Sequence, residues 1–222
     1  LSILDVAAHL DPDYFVLSGD LCFDKADSGV YRWIKFHMDA LSIPYDVIPG
    51  NHDDTALLAA VFDREHLLLP GGEMAFIRSI AGFEFIFLDT AAGIFSERQA
   101  EWLRDHLARA EGTQVIFMHH PPVQVGVPFM DARYPLENPE VFRRAIEGYP
   151  APVHVFCGHY HVERTVHEGA LHVHVTPSTF FQIAQFQESF DVDHYRPGFR
   201  VIELTTGGRL SHTVRYLDVA GW

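Results

Sequence analysis

Four short apolar stretches of this chain each run directly into side chains that can bind a metal ion. The clearest is 153–156, which leads through Gly158 into the pair His159 and His161. Residues two apart point the same way only in extended backbone, so a strand ending here would present both imidazoles to one site. The same form recurs three times, with Asp20 after 15–18, Asn51 after 45–48 and His119 after 115–118.

These stretches have the length and composition of buried strands, so the polar residues after them are predicted to lie at the carboxyl ends of a sheet. In open α/β sheets the functional crevice lies outside those ends. The candidate metal ligands of this one site are Asp20, Asn51, His119, His159 and His161. Carboxylate, amide and imidazole donors without a thiolate suit Mn, Fe, Zn or Co. Two such cations about 3.5–4 Å apart can clamp a phosphate ester and lower the pKa of a bound water.

Three neighbouring side chains are assigned supporting roles. His52 follows Asn51 directly and is predicted to protonate the leaving group as a general acid, with a structural role as the alternative. Because His120 stands directly before a Pro-Pro turn, His119 is favoured as the ligand. His120 and Asp53 are predicted to support the site or to contact the substrate.

Most of the 15 histidines lie outside these segments. His172 and His174 form a second His-x-His pair on a predicted strand, but no other ligand motif accompanies them, so a structural role is favoured. Six more histidines are predicted to be surface or core residues: His37, His66, His106, His154, His194 and His212.

The composition limits the classes of function. With 222 residues, 48% of them hydrophobic, the chain suits a single globular domain over 1–222. A net charge of −14 argues against nonspecific nucleic-acid binding, which needs a basic surface. No apolar run approaches the roughly 18 residues of a membrane span, and no signal peptide is visible. The two cysteines, Cys22 and Cys157, are expected in the core of a reduced, cytoplasmic protein.

The elements that position these residues follow from hydrophobic periodicity. Helices are predicted at 1–10, 30–41, 55–62, 97–110 and 139–147, with Asp53 or Asp54 capping the third and a Ser96–Gln99 capping box opening the fourth. A hairpin is predicted at 74–80 and 83–88, and 121–139 is predicted to be a long loop. Late antiparallel strands are predicted at 162–167, 170–175, 199–204 and 210–216. Together these elements predict an α/β fold, a two-sheet sandwich with helices outside.

Four motifs, in this order, resemble those of the calcineurin-like metallophosphoesterase superfamily: Gly19-Asp20, Gly50-Asn51-His52-Asp53, His119-His120-Pro121-Pro122 and Gly158-His159-Tyr160-His161. Other segments resemble the class III cyclic-nucleotide phosphodiesterases within it: Met130-Asp131, Leu136-Glu137-Asn138, Pro177-Ser178-Thr179 and Arg196-Pro197-Gly198-Phe199-Arg200. The resemblance implies a four-layer α/β/β/α sandwich that hydrolyses small phosphodiesters, such as 3′,5′-cyclic nucleotides, through a metal-activated water.

The resemblance also implies roles for the candidate residues at a site of two divalent or mixed-valence metals. Asp20 would bridge both metals, and His52 would assist the leaving group. The other ligands divide between the two metals, with Asn51, His119 and His159 completing one site and His161 belonging to the other.

One departure from the superfamily pattern concerns the first strand. Members begin with a strand that ends in Asp-x-His, and no Asp-x-His occurs in the first forty residues here. The chain is therefore expected to lack that strand, through truncation or a late start. The second metal site would then be incomplete, keeping only Asp20 and His161. The alternative function is a catalytically impaired or regulatory descendant that binds phosphoesters with one complete metal site.

The residue types bear on two further alternatives. A structural zinc domain is disfavoured, since such sites usually have four closed Cys/His ligands. Aromatic residues at 180, 181, 186 and 190 fit either self-association into a homo-oligomer or a place in the core.

Overall fold

The structure, a computed structural model, describes residues 2–218, so Leu1 of the first predicted helix lies outside it. Within that range the chain forms six α-helices: α1 (Ser2–Ala8), α2 (Ser28–Ala40), α3 (Thr55–Val61), α4 (Glu97–Leu107), α5 (Pro128–Arg133) and α6 (Pro139–Ile146). A 3₁₀ turn spans Glu65–Leu67. The strands are β1 (Phe15–Ser18), β2 (Tyr45–Ile48), β3 (Ala75–Ile80), β4 (Phe83–Leu88), β5 (Gln114–Phe117), β6 (Val153–Cys157), β7 (Arg164–Glu168), β8 (Leu171–Val175), β9 (Gln182–Ile183), β10 (Val192–His194), β11 (Gly198–Leu204) and β12 (Leu210–Tyr216).

A six-stranded sheet in the order β3-β4-β5-β6-β8-β7 forms the centre of the molecule. Its four inner strands run parallel, and β3 and β7 close the two edges in antiparallel pairing. All four residues of β5 are buried. Parallel strands covered on both faces are largely apolar, which explains the apolar run 115–117 in β5, whereas β6 carries His154 at a half-buried position.

The two faces of this sheet are covered differently. On one face, Leu103 of α4 and Phe142 of α6 lie in a core with inward residues of the sheet such as Ile116. On the other face, the parallel pair β1–β2 and the antiparallel pair β11–β12 form a second layer of strands. Tyr31 of α2 and Leu58 of α3 join the core on that side. The mixed α/β fold with a central sheet is therefore confirmed.

The predicted cap of α3 forms, whereas the predicted capping box of α4 forms only in part. Asp54 caps α3, its carboxylate accepting a hydrogen bond from the backbone N–H of Leu57 at 2.7 Å. Ser96 caps α4 through the N–H of Gln99 at 3.2 Å. The Gln99 side chain does not bond to the backbone N–H of Ser96, because it bonds instead to the backbone N–H and carbonyl oxygen of buried Asp89. Only half of the predicted capping box forms.

The predicted long loop at 121–139 is wrong in part, since α5 lies within it. Pro128 stands in the first turn of α5, where its missing N–H costs nothing. The Asp131 carboxylate accepts hydrogen bonds from the backbone N–H groups of residues 125–127 at 2.8–3.1 Å. These bonds order the turn that leads into the helix.

Surface features complete the fold. Phe180, Phe186 and Phe190 are 53%, 79% and 54% exposed, so a core role is wrong for these three, while Phe181 packs against the core. Both cysteines are free and buried, as predicted. No helix among the described residues is long and apolar enough to cross a membrane.

Candidate metal centre

Three of the predicted ligands converge where β1, β5 and β6 end. Asp20, His119 and His159 each offer a ligand atom, and these atoms lie within 4.8 Å of one another. Of the His, Cys, Asp and Glu side chains in residues 2–218, these three form the group with that spacing. Because β1 belongs to one strand layer and β5 and β6 to the other, the group joins the two layers at their carboxyl ends.

His119 is held in one tautomer by the backbone. Its Nδ1 lies 2.7 Å from the carbonyl oxygen of Ser18, which can only accept, so Nδ1 carries the proton. The other ring nitrogen, Nε2, lies 3.2 Å from Oδ2 of Asp20, and no hydrogen-bond partner for it occurs within the described chain. A histidine whose second nitrogen is fixed in this way is oriented as metal-ligating histidines are.

The charges of Asp20 and His119 depend on each other. Burial raises the pKa of the Asp20 carboxyl, but His119 and the backbone N–H of His52 outweigh burial and the pKa is lowered. Burial lowers the pKa of His119, yet the Asp20 carboxylate outweighs it and the pKa is raised. Asp20 is therefore an anion at neutral pH. A cation placed between its oxygen and Nε2 of His119 would stabilise that anion.

Three candidate ligands have strained backbones. Asp20, His159 and His161 have φ angles of 53°, 64° and 51°, in the left-handed region that non-glycine residues rarely adopt. Each such residue costs on the order of 1–3 kcal/mol, and such strain concentrates at functional sites. Asp and His adopt this region more readily than most non-glycine residues, and three of them do so at the centre.

The two histidines of the Gly158 segment differ in their contacts. Nε2 of His159 donates to the carbonyl oxygen of Tyr134 at 2.9 Å, which leaves Nδ1 with a free lone pair. Burial, followed by the charge of His119, lowers the pKa of His159 to about 3. Burial likewise lowers the pKa of His161 to about 4. Both rings are therefore neutral at pH 7, the form that binds metals.

His161 lies outside the three-residue group. Its Nδ1 is buried, and the described residues offer it no hydrogen-bond partner. Asp20 and His119 are near enough to act on its pKa, and its ring packs 4.7 Å from that of Phe181. A buried imidazole nitrogen without a partner carries a desolvation cost that a bound cation would remove. The donor set therefore fits a divalent metal ion.

Two glycines make the close approach of these groups possible. A Cβ on Gly19, whose φ is 95°, would overlap Nδ1 of His119 and lie 2.7 Å from the backbone of Gly50. A Cβ on Gly50 would overlap Asp20 and lie 2.8 Å from the His119 ring. The glycines that precede two of the predicted ligands are thus required by the packing of the centre itself.

Asn51 and His52 lie on the solvent side of the centre. Asn51 is exposed and follows Gly50, whose Cα faces the Asp20 carboxylate. The backbone N–H of His52 donates to Oδ1 of Asp20 at 3.0 Å. Its ring Nδ1 donates to the carbonyl oxygen of Asp24 at 3.0 Å, which leaves Nε2 free. This histidine is oriented by the chain and partly exposed to solvent.

Asp53 positions the loops that carry two of the candidate ligands. Its carboxylate accepts hydrogen bonds from the backbone N–H groups of Leu21 and Gly50 at 3.2 and 2.9 Å, and from the hydroxyl of Tyr31 at 2.9 Å. One side chain therefore holds the loop after β1 against the loop after β2. Tyr31 has no signal in the sequence beyond its apolar position on α2.

His120 stands behind the centre. Its backbone N–H donates to Oγ1 of Thr90 at 3.1 Å, and the same oxygen forms a hydrogen bond with Nδ1 of His120 at 3.0 Å. The ring lies 4.1 Å from that of His159. Burial, with His159 and His119 adding to it, lowers the pKa of His120 strongly. The structure places His120 against a candidate ligand, while His172 and His174 lie elsewhere.

Comparison with known proteins identifies the class. Residues 1–163 match the model of the calcineurin-like phosphoesterase family. A probable cyclic nucleotide phosphodiesterase from Fibrobacter succinogenes is 35% identical over 193 residues, which cover 87% of this chain and 75% of that protein. The 3′,5′-cyclic adenosine monophosphate phosphodiesterase CpdA of Vibrio vulnificus is 28% identical, covering 96% and 77%. A solved structure, a dimetal phosphatase from Danio rerio, matches with a TM-score of 0.64 at 15% identity, covering 90% and 82%, which supports the fold.

The family match and the relatives named as phosphodiesterases support a hydrolase, here with an Asp/His group at its strand ends. With 163 residues matching the family model, the chain belongs to the calcineurin-like phosphoesterases. Membership implies divalent metal ions, and Asp20, His119 and His159 form a group that could hold one.

Proposed function

We propose that this chain is a phosphodiesterase that hydrolyses small phosphodiesters such as 3′,5′-cyclic nucleotides. The observation that carries the proposal is the convergence of Asp20, His119 and His159 within 4.8 Å at the carboxyl ends of three strands. The relatives named as cyclic nucleotide phosphodiesterases support the substrate class.

The residues available to hold metal ions divide into two groups. Asp20, Asn51, His119 and His159 supply carboxylate, amide and imidazole donors for one ion, and Asp20 with His161 supplies fewer donors for a second. Mn, Fe, Zn or Co suits this donor set. Such cations, when bound, polarise phosphoryl oxygens and activate water for in-line attack.

His52 is proposed to protonate the leaving oxygen. Its Nδ1 proton is committed to the carbonyl oxygen of Asp24, so Nε2 is the nitrogen that exchanges a proton with the substrate. The hydrogen bond from its backbone to Asp20 fixes the distance between this acid and the metal ligands.

The test measures hydrolysis of an aryl phosphodiester and of cyclic AMP with added Mn²⁺. We expect weak turnover, because the second group has few donors, and we expect Asn51→Ala and His159→Ala to remove it. His66→Ala, which changes an exposed histidine on the 3₁₀ turn, is the matched control and should keep full activity. Unchanged turnover in both site variants would overturn the assignment.

A second candidate function is phosphoester binding without turnover. It is favoured by the single three-residue group found among the described residues. Tight binding of a cyclic nucleotide with no hydrolysis over hours would support this function, and robust Mn²⁺-dependent turnover would exclude it.

A further inference from the structure

A row of three histidines crosses the central sheet away from the candidate metal centre. His154 on β6 is the direct partner of His172 on β8, and His172 is the direct partner of His167 on β7. Direct partners on neighbouring strands project to the same face with their Cβ atoms about 5 Å apart. Sheet register thus aligns three imidazoles that the sequence separates.

The closest contact in the row joins His167 on the edge strand to His172, the middle member. Their Nδ1 atoms share a hydrogen bond of 2.7 Å, and their ring planes are nearly perpendicular at 88°. The His154 ring stacks on His172 at 4.7 Å with an interplanar angle of 17°. His154 itself bonds through Nδ1 to Nε2 of His174 at 3.0 Å. His167 is exposed and His172 half-buried, so this pair is open to solvent.

This histidine pair is separate from the candidate centre. His172 is the second residue of β8, and its row partner His154 is the second residue of β6. The candidate ligands follow the other end of β6. At about 3.3 Å per residue, the row lies about 13 Å back along the strand from Gly158. The two sites are therefore at opposite ends of the same strands.

No charged side chain among the described residues forms a hydrogen bond or ion pair with His167 or His172. Glu168, beside His167, is held by Arg143 at 2.7 Å. Arg200 on β11 donates to Nδ1 of His212 at 2.8 Å and to the carbonyl oxygen of Val175. The net charge of −14 favours cations over the surface as a whole.

The spacing of the two nitrogens indicates which ion fits. Imidazole suits Zn, Cu and Ni. Two nitrogens about 2.0 Å from a metal are about 2.8 Å apart at a right angle and about 3.3 Å apart at the tetrahedral angle. The observed 2.7 Å is the length of the hydrogen bond between the two rings, and it is also close to the right-angle spacing. We propose that His167 and His172 form a bidentate site for a divalent ion that prefers square-planar coordination, Cu²⁺ or Ni²⁺, with water in the remaining positions.

The test is a titration of the whole chain with Cu²⁺, followed by calorimetry and by electron paramagnetic resonance. His167→Gln and His172→Gln should each bind one Cu²⁺ fewer per chain than the unmodified protein. The resonance that disappears should show coupling to two imidazole nitrogens. His66→Gln is the control for exposed histidine, and His159→Ala is the control for the candidate centre. Both should keep this Cu²⁺.

Melting temperatures measured without metal show whether each variant folds. An unchanged number of Cu²⁺ ions in folded His167→Gln and His172→Gln would overturn the proposal. Tighter binding of Zn²⁺ than of Cu²⁺ to this pair would overturn the choice of ion. Because neither measurement uses turnover, the result is independent of the proposed phosphodiesterase activity.

Discussion

Asp46→Asn should destabilise the protein more than any exposed charge change, because Asp46 is a fully buried carboxylate with four charge-assisted hydrogen bonds. It accepts from the Tyr14 hydroxyl at 2.6 Å, from Nε of Arg64 at 3.0 Å, and from Nε and Nη2 of Arg78 at 2.6 and 3.0 Å. Arg78 belongs to β3 and Asp46 to β2, so the cluster ties the two strand layers together.

The expected loss follows from the bond types. Hydrogen bonds to a charged group contribute about 1.5–3 kcal/mol each and neutral ones about 0.5–1.5 kcal/mol. An amide at position 46 therefore loses about 1 kcal/mol at each of its three partners. The Arg64 and Arg78 side chains are 24% and 32% exposed, so water recovers part of the loss, while the new NH₂ faces a donor. We expect a net decrease of about 2–4 kcal/mol in the free energy of unfolding.

Urea unfolding followed by circular dichroism measures this loss. The matched control is Asp39→Asn, which removes a carboxylate that is 49% exposed and paired with Lys35 at 2.8 Å. Exposed pairs of this kind contribute at most about 1 kcal/mol. If Asp46→Asn and Asp39→Asn lose the same free energy, the buried network does not stabilise the fold as reasoned here.

Two further changes test the centre and its supports. Gly50→Ala should abolish metal binding in equilibrium dialysis, since the new Cβ would overlap Asp20 and crowd His119. The control Gly207→Ala should bind metal normally, because a Cβ there meets only Oγ1 of Thr205, at 3.8 Å. Normal metal binding by Gly50→Ala would contradict the packing argument. Burial raises the pKa of the Tyr31 phenol in the folded protein, whereas the same phenol in the unfolded chain ionises near pH 10. The contribution of this pKa difference to the free energy of unfolding is therefore fully present below pH 10. It is lost above pH 10 by up to about 1.4 kcal/mol per pH unit. Tyr31→Phe should lose less stability than the unmodified protein between pH 10 and 11 in denaturant titrations, and parallel losses would refute the assignment.

Local sequence was sufficient to predict most elements. Buried parallel strands are largely apolar on both faces, so β5 and β6 were recognisable from their apolar residues, although β6 also contains His154. The hairpin at β3–β4 and the Asp54 cap were also predictable from turn and capping preferences. The helix α5 was missed, because its start depends on Asp131, a residue inside the helix, bonding backward to the preceding turn.

The candidate ligand types and their order in the chain were likewise determined by sequence alone, and their individual roles stay predictions. Only the tertiary structure decided how they meet. The tautomer of His119 depends on the carbonyl oxygen of Ser18, 101 residues away.

The row of histidines also depends partly on the sequence and partly on the tertiary structure. Period-two patterning indicates which residues share a face of a strand, but not which strand lies beside it. β6 pairs with β8 and not with β7, the next strand in sequence, and this order places His154, His172 and His167 side by side. Strand order is settled by the burial of whole faces across the molecule, so it could be known only from the folded chain.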